Sequence, residues 1–153
     1  MGRAAWVLAI VAVAVAGCAS TPDGPGLAGE IVGHDDTGLS DYPVGDGWIV
    51  AVPADKAPAL WADEDLPADF TDYAHLGFDL RDADLAAVDG VRVPVTSNGQ
   101  FRLDAPPGPS VVCWMEPVGD GPMHSRGCTE IDLPDEGRLK GHWGEGGFFV
   151  EVE

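Results

Sequence analysis

Apolar and polar positions alternate with a period of two along most of the chain, the spacing that puts every second side chain on one face of a strand. In Leu27 to Gly33 the repeat places Leu27, Gly29 and Ile31 together, and in Val44 to Val52 it places Trp48, Val50 and Val52 together. The turn-forming stretch His34 to Pro43 between them reads as a loop, and Pro53 and Pro58 end the second strand because proline cannot donate to a ladder. Val91 to Thr96 and Gln100 to Asp104 flank Ser97-Asn98-Gly99, a hairpin signal, since Asn-Gly accepts the positive φ angles of a tight turn. Val91, Val93 and Val95 then face inward with Phe101 and Leu103, and Pro94 marks its strand as an edge or a bulge. Beyond the Pro106-Pro107-Gly108-Pro109 break, Ser110 to Glu116 is apolar on both faces, as a central strand would be. Cys128 to Leu133 turns Thr129, Ile131 and Leu133 inward, and Gly147 to Glu153 buries Phe148, Val150 and Val152. These seven strands predict an all-β fold, a single seven-stranded antiparallel β-sandwich over residues 27–153.

Residues 53–90 break the pattern. Positions 61–89 hold nine acids and one base, and their loose apolar spacing predicts one or two short helices in an acidic insertion. Asp82 to Val88 is the best helical turn, with Asp82 and Asp84 at its positive end.

Near the N-terminus, Arg3 precedes fourteen uncharged residues, Ala4 to Gly17. As a helix this run spans about 21 Å against roughly 30 Å of hydrocarbon, too short for comfortable crossing. A basic start, an apolar middle and small residues at the end fit a secretory signal peptide over residues 1–17. The closing tetrad Val15-Ala16-Gly17-Cys18 resembles the lipobox of bacterial lipoproteins. That resemblance implies a diacylglycerol on the Cys18 thiol, cleavage just before it and acylation of the new N-terminus. Two or three acyl chains, at about 0.8 kcal/mol per buried methylene, hold a protein stably on a bilayer. An ordinary signal peptide would fit the apolar run equally, and only the tetrad singles out Cys18. Residues 18–26, rich in Pro, Gly and small polar side chains, read as a flexible tether.

The cysteines agree with that assignment. With Cys18 given to lipid, Cys113 and Cys128 remain as the only possible pair. Their spacing matches neither a CxxC redox motif nor a zinc ribbon, so the pair reads as a structural disulfide formed outside the cytoplasm. Closing a loop of about 15 residues contributes roughly 3 kcal/mol in the chain-entropy picture.

Composition removes some functions. Eight basic residues against 26 acidic ones give a net charge of -18, which repels phosphate backbones and excludes non-specific nucleic-acid binding. Glycine (21) and proline (13) are too frequent for a helical bundle. G-x-S-x-G, H-E-x-x-H, phosphate-loop and dinucleotide glycine patterns do not occur, so no enzyme, cofactor or metal assignment is made. His34-Asp35-Asp36 is the most ligand-like cluster for calcium or zinc, yet consecutive positions cannot all face one ion, and His75, His124 and His142 read as loop or turn residues. Asp63-Glu64-Asp65 and the Asp82/Asp84 pair read as solvated acidic surface. Trp48 and Trp114 lie in strands and read as core, which leaves Trp61 and Trp143, beside turns, as candidate platforms for a sugar ring.

The strand pattern also resembles the carboxypeptidase regulatory-like, or transthyretin-like, β-sandwich. Gly29-Glu30-Ile31 matches its first strand, Pro43-Val44 the start of the second, Thr96 to Leu103 its T-x-x-G-x-F-x-L hairpin, and Pro107-Gly108 its turn into a central strand. Ser97 stands where an Asp is common, and the segment 53–90 exceeds the family's usual connection. The resemblance implies a non-catalytic module. The expectation is therefore an extracytoplasmic lipoprotein of the cell envelope, partnered by the bilayer through Cys18, with a structural or interaction role. The alternative is a binder of a divalent cation or a glycan through the acidic loops.

Overall fold

The computed structural model describes residues 21–35, 40–67, 70 and 72–153; residues 1–17, expected as a signal peptide, and Cys18 lie outside them. Among the described residues ten strands build two five-stranded sheets in a sandwich-like arrangement. Sheet A contains β1 (Leu27–His34), β2 (Asp41–Pro43), β6 (Gln100–Leu103), β9 (Arg138–Gly144) and β10 (Gly147–Val152). Its path is β10-β9-β1-β2, with β6 pairing the other half of the same β1 edge. Sheet B contains β3 (Trp48–Pro53), β4 (Asp79–Leu80), β5 (Val91–Pro94), β7 (Gly108–Pro117) and β8 (Met123–Leu133), ordered β4-β8-β7-β3-β5.

The mostly-β sandwich agrees with the alternation, but the count is ten strands rather than seven, and pairing is not antiparallel throughout. β1 and β9 run parallel, with Gly29 opposite Leu139 and Gly33 opposite Trp143. β2 lies inside the stretch expected as a loop, and β4 is a two-residue strand on the edge of sheet B. β9 escapes the alternation because Gly141 occupies an inward position that a bulky apolar residue would have marked. The Ser97-Asn98-Gly99 turn forms, with the Gly99 N–H donating to the Thr96 carbonyl at 2.9 Å and Gly99 at φ +77°. Its two arms nevertheless belong to different sheets: β5 pairs β3, and β6 pairs β1. The expected hairpin is a corner between layers, and both arms still aim their apolar faces at the shared core.

That core between the sheets holds Ile31, Ile49, Val112, Trp114, Phe101, Leu139 and Phe148. Sheet B is buried on its other face as well. Val50, Val52, Val111, Cys113, Met115 and Cys128 meet Ala57, Trp61, Leu76, Phe78, Leu85 and Val88. These last six come from the acidic insertion, which folds as a covering layer. It contains two short 3-10 turns, Ala57–Trp61 and Tyr73–His75, and one helix, α1 (Asp82–Ala87). A sheet covered on both sides accounts for the apolar character of β3 and β7 on both faces.

In β8 the register slips by one residue opposite Trp114 and Met115. This bulge lets Met123 before it and Cys128 after it share the covered face, although their numbers differ in parity. Cys113 and Cys128 stand directly opposite in β7 and β8 and are joined by a disulfide. The buried Ser125 hydroxyl donates to the Leu76 carbonyl at 2.8 Å and ties the covering layer to β8. Ala74, in the same layer, approaches so closely that a Cβ on Gly127 or Gly147 would lie 2.0 or 2.2 Å from its carbonyl oxygen. Val152, expected inside, is 45 % exposed at the rim of sheet A. Residues 21–26 run beside β6: the Thr21 hydroxyl donates to Gln100, and Arg102 donates to the Pro22 and Gly26 carbonyls.

Candidate functional site

One face of sheet A is not covered by the other sheet. By strand alternation β1 presents Glu30, Val32 and His34 there, β9 presents Arg138, Lys140 and His142, and β10 presents Phe149 and Glu151. Asp41 on β2 is paired with His34, and His142 is paired with both Val32 and Phe149. His34 is thus a diagonal neighbour of His142, and Glu151, paired with Lys140, is another.

Side chains join across those diagonals into one row. His34 Nδ1 meets Asp41 Oδ1 at 2.8 Å, His34 Nε2 meets His142 Nδ1 at 2.9 Å, and His142 Nε2 meets Glu151 Oε1 at 2.9 Å. The two imidazoles are 14° from parallel with centroids 5.2 Å apart. For a 2.9 Å contact so large a centroid separation requires the two nitrogens to lie between the centroids, so the rings meet end to end rather than face to face. Phe149 stacks on His142 at 4.5 Å between centroids, and the His142 side chain is only 12 % exposed. A second row lies alongside, where Glu30 accepts from Gln100 at 3.0 Å and from Arg138 at 3.3 Å.

The proton count of the first row is informative. Each carboxylate only accepts, so Asp41 takes the Nδ1–H of His34, and Glu151 takes the Nε2–H of His142. A neutral imidazole carries one N–H, and both are then committed. With both far nitrogens donating, the 2.9 Å contact between His34 Nε2 and His142 Nδ1 is closed by one cation held between them, either an added proton, which makes it a hydrogen bond, or a metal ion.

The residues singled out in the sequence fall elsewhere. Asp36 lies outside the described residues, Asp35 accepts from the Ser40 hydroxyl at 2.6 Å, and His34 meets Asp41 and the distant His142. Among the described residues no three His, Cys, Asp or Glu side chains converge as a metal cage. Trp61 and Trp143 are not free platforms: Trp61 is 7 % exposed against Tyr73 and Phe78, and Trp143 packs on the core between the sheets. Trp114 is fully buried, and Trp48 carries the Arg92 guanidinium 4.7 Å above its ring. Asp63, Glu64 and Asp84 do share a place, lining an open groove of about 640 Å³ beside Trp61, Asp79 and His124. There His124 Nδ1 and Asp79 Oδ1 are 2.9 Å apart. Asp82 is taken by Arg92 at 2.5 Å. His75 meets the Glu145 carbonyl at 3.1 Å and lies 3.5 Å from Asp72; the carbonyl contact first and the carboxylate second raise its pKa above the ordinary imidazole value. Lys56 and Asp89 form an exposed ion pair whose hydrogen bond holds the Asp89 carboxyl below its usual range.

His142 and His124, expected in loops or turns, stand in β9 and β8, and β9 was not among the expected strands. The alternation of Leu139, Gly141 and Trp143 with Arg138, Lys140 and His142 was the available signal. Among the described residues no helix is long and apolar enough to cross a membrane.

No family model matches the chain, and no curated protein matches it. A solved structure similar to it is a candidate carbohydrate-binding protein from Pseudomonas aeruginosa, 14 % identical, with a TM-score of 0.42, covering 82 % of this chain and 100 % of that one.

Proposed function

We propose that this chain is a lipid-anchored protein of the bacterial cell envelope, acylated at Cys18, whose β-sandwich serves outside the cytoplasm as a non-catalytic structural or interaction module. The observation that carries the reading is the Cys113–Cys128 bridge. A structural disulfide fits an oxidising compartment, and it consumes two of the three cysteines, which leaves Cys18 for lipid behind a fourteen-residue apolar run. The strong negative charge suits a soluble module held near an anionic envelope. Kinship with the transthyretin-like sandwich belongs to the same reading. It is supported by Gly29 and Leu27 on β1, opposite Phe101 and Leu103 of β6, and by the Pro107-Gly108 turn into the central β7.

The test is mass spectrometry of protein from the membrane fraction after labelling with a fatty-acid analogue. The expected species begins at an acylated Cys18 and weighs two hydrogens less than its dithiol form, while the Cys18→Ala variant takes up no label. A free Cys18 thiol in the wild type, or undiminished label in the variant, overturns the anchor.

A second reading, a cation-binding module, is favoured by the groove that gathers Asp63, Glu64 and Asp84. Calorimetry with calcium decides it, and absence of heat removes it. The inward Trp61 and Trp143 take away the aromatic support for a glycan at the loops.

A further inference from the structure

The uncovered face of sheet A holds a feature that neither the anchor nor the acidic groove uses: two imidazole nitrogens aimed at each other, each on a ring whose far nitrogen is committed to a carboxylate. We propose that His34 Nε2 and His142 Nδ1 are the protein ligands of a divalent transition-metal ion of the zinc, copper or nickel class.

Three observations converge on this. A ligating histidine characteristically donates its other N–H to a carboxylate, which sets the tautomer and strengthens the ligating nitrogen. Asp41 and Glu151 do this for both rings at once, from strands on opposite sides of the pair. Secondly, once the far nitrogens donate to carboxylates, the two near nitrogens can share only one added cation, and a metal ion competes with a proton for that place. Thirdly, the separation is nearly right. Metal–nitrogen bonds of about 2.0–2.1 Å at a tetrahedral angle put two nitrogens about 3.3 Å apart. Because the rings meet end to end, reaching that geometry takes an in-plane turn of about 35° by each ring, so that both nitrogens converge on an ion beside the line joining them, and the His34 side chain, 37 % exposed, has room to turn.

The donor set selects the ion. Imidazole suits zinc, copper and nickel, whereas calcium and magnesium take oxygen ligands. With two protein ligands, the remaining coordination positions belong to water or to a small ligand from solution, as in an open rather than a closed zinc site. Phe149, stacked on His142, covers one face of that ring and limits its swing. The proposal is independent of the anchor: an unacylated Cys18 would leave it standing, and loss of metal binding would leave the anchor standing.

The full chain in detergent is titrated separately with Cu2+, Zn2+ and Ca2+. One equivalent of Cu2+ is expected to bind with an electron paramagnetic resonance spectrum carrying hyperfine splitting from two nitrogens. His34→Asn and His142→Asn each weaken binding at least tenfold, and Glu151→Gln weakens it about tenfold, the usual scale for a lost supporting carboxylate. His75→Asn leaves it unchanged. Should a variant fail to fold, ring resonances of the wild type decide: Zn2+ must move those of His34 and His142 and spare His75. Equal binding by the His34→Asn/His142→Asn double variant overturns the site. So does a spectrum with oxygen ligands only, or equal movement of all four histidines.

Discussion

Truncating Phe78 to alanine tests the architecture most directly, because that ring belongs to the acidic insertion and its packing partners belong to sheet B. Phe78 is 2 % exposed, lies 5.5 Å from Trp61 between centroids and sits in the cluster with Val111, Cys113 and Met115. Its carbonyl accepts from the Ser125 N–H at 2.8 Å, which fixes the backbone on both sides of the ring and hinders collapse into a void. A buried Phe→Ala change costs about 3–5 kcal/mol, against a total stability of about 5–15 kcal/mol for a domain. With a urea slope of roughly 2 kcal/mol per molar, the unfolding midpoint falls by about 2 M. The slope itself stays constant, because the covering layer and the sheets unfold as one unit. Phe78→Leu recovers more than half of the loss. Urea titrations followed by tryptophan fluorescence measure all of this, since Trp61 lies in the layer and Trp114 in the core. A loss below about 1 kcal/mol, the size of a surface substitution's effect, would refute the covering-layer account. A separate early transition seen from Trp61 would refute it as well.

Two further outcomes follow from the same structure. Replacing both Cys113 and Cys128 by alanine removes a bridge closing a 15-residue separation and is expected to cost about 3 kcal/mol, read as a lowered urea midpoint; unchanged stability would deny the bridge its structural role. The raised pKa of His75 means that its stabilising contribution is fully present below the ordinary imidazole value of 6.5 and disappears as the pH rises through the raised value. The gap in melting temperature between wild type and His75→Asn should therefore be widest below pH 6.5 and narrow as the pH rises above it; a gap that widens with pH contradicts the assignment.

Local pattern was enough for much of this protein. Alternation located β1, the inward faces of β6 and β8, and on β3 the face that meets the covering layer rather than the one between the sheets. The doubly apolar run of Ser110 to Glu116 announced a central strand, and cysteine parity announced the bridge. Asn-Gly announced a turn, but a turn constrains only four residues, so it could not say that its two arms would join different sheets. That choice, like the parallel pairing of β1 with β9 across more than a hundred residues, depends on which edges remain open once both cores have closed. The carboxylates of the insertion read as solvated surface, and its loosely spaced apolar residues as short helices with no packing partner assigned. Only the packed structure turns Trp61, Phe78 and Leu85 toward sheet B while leaving the carboxylates in water. The histidine row was invisible for the same reason: a strand's period tells which way a side chain points, and only tertiary pairing determines what it meets there.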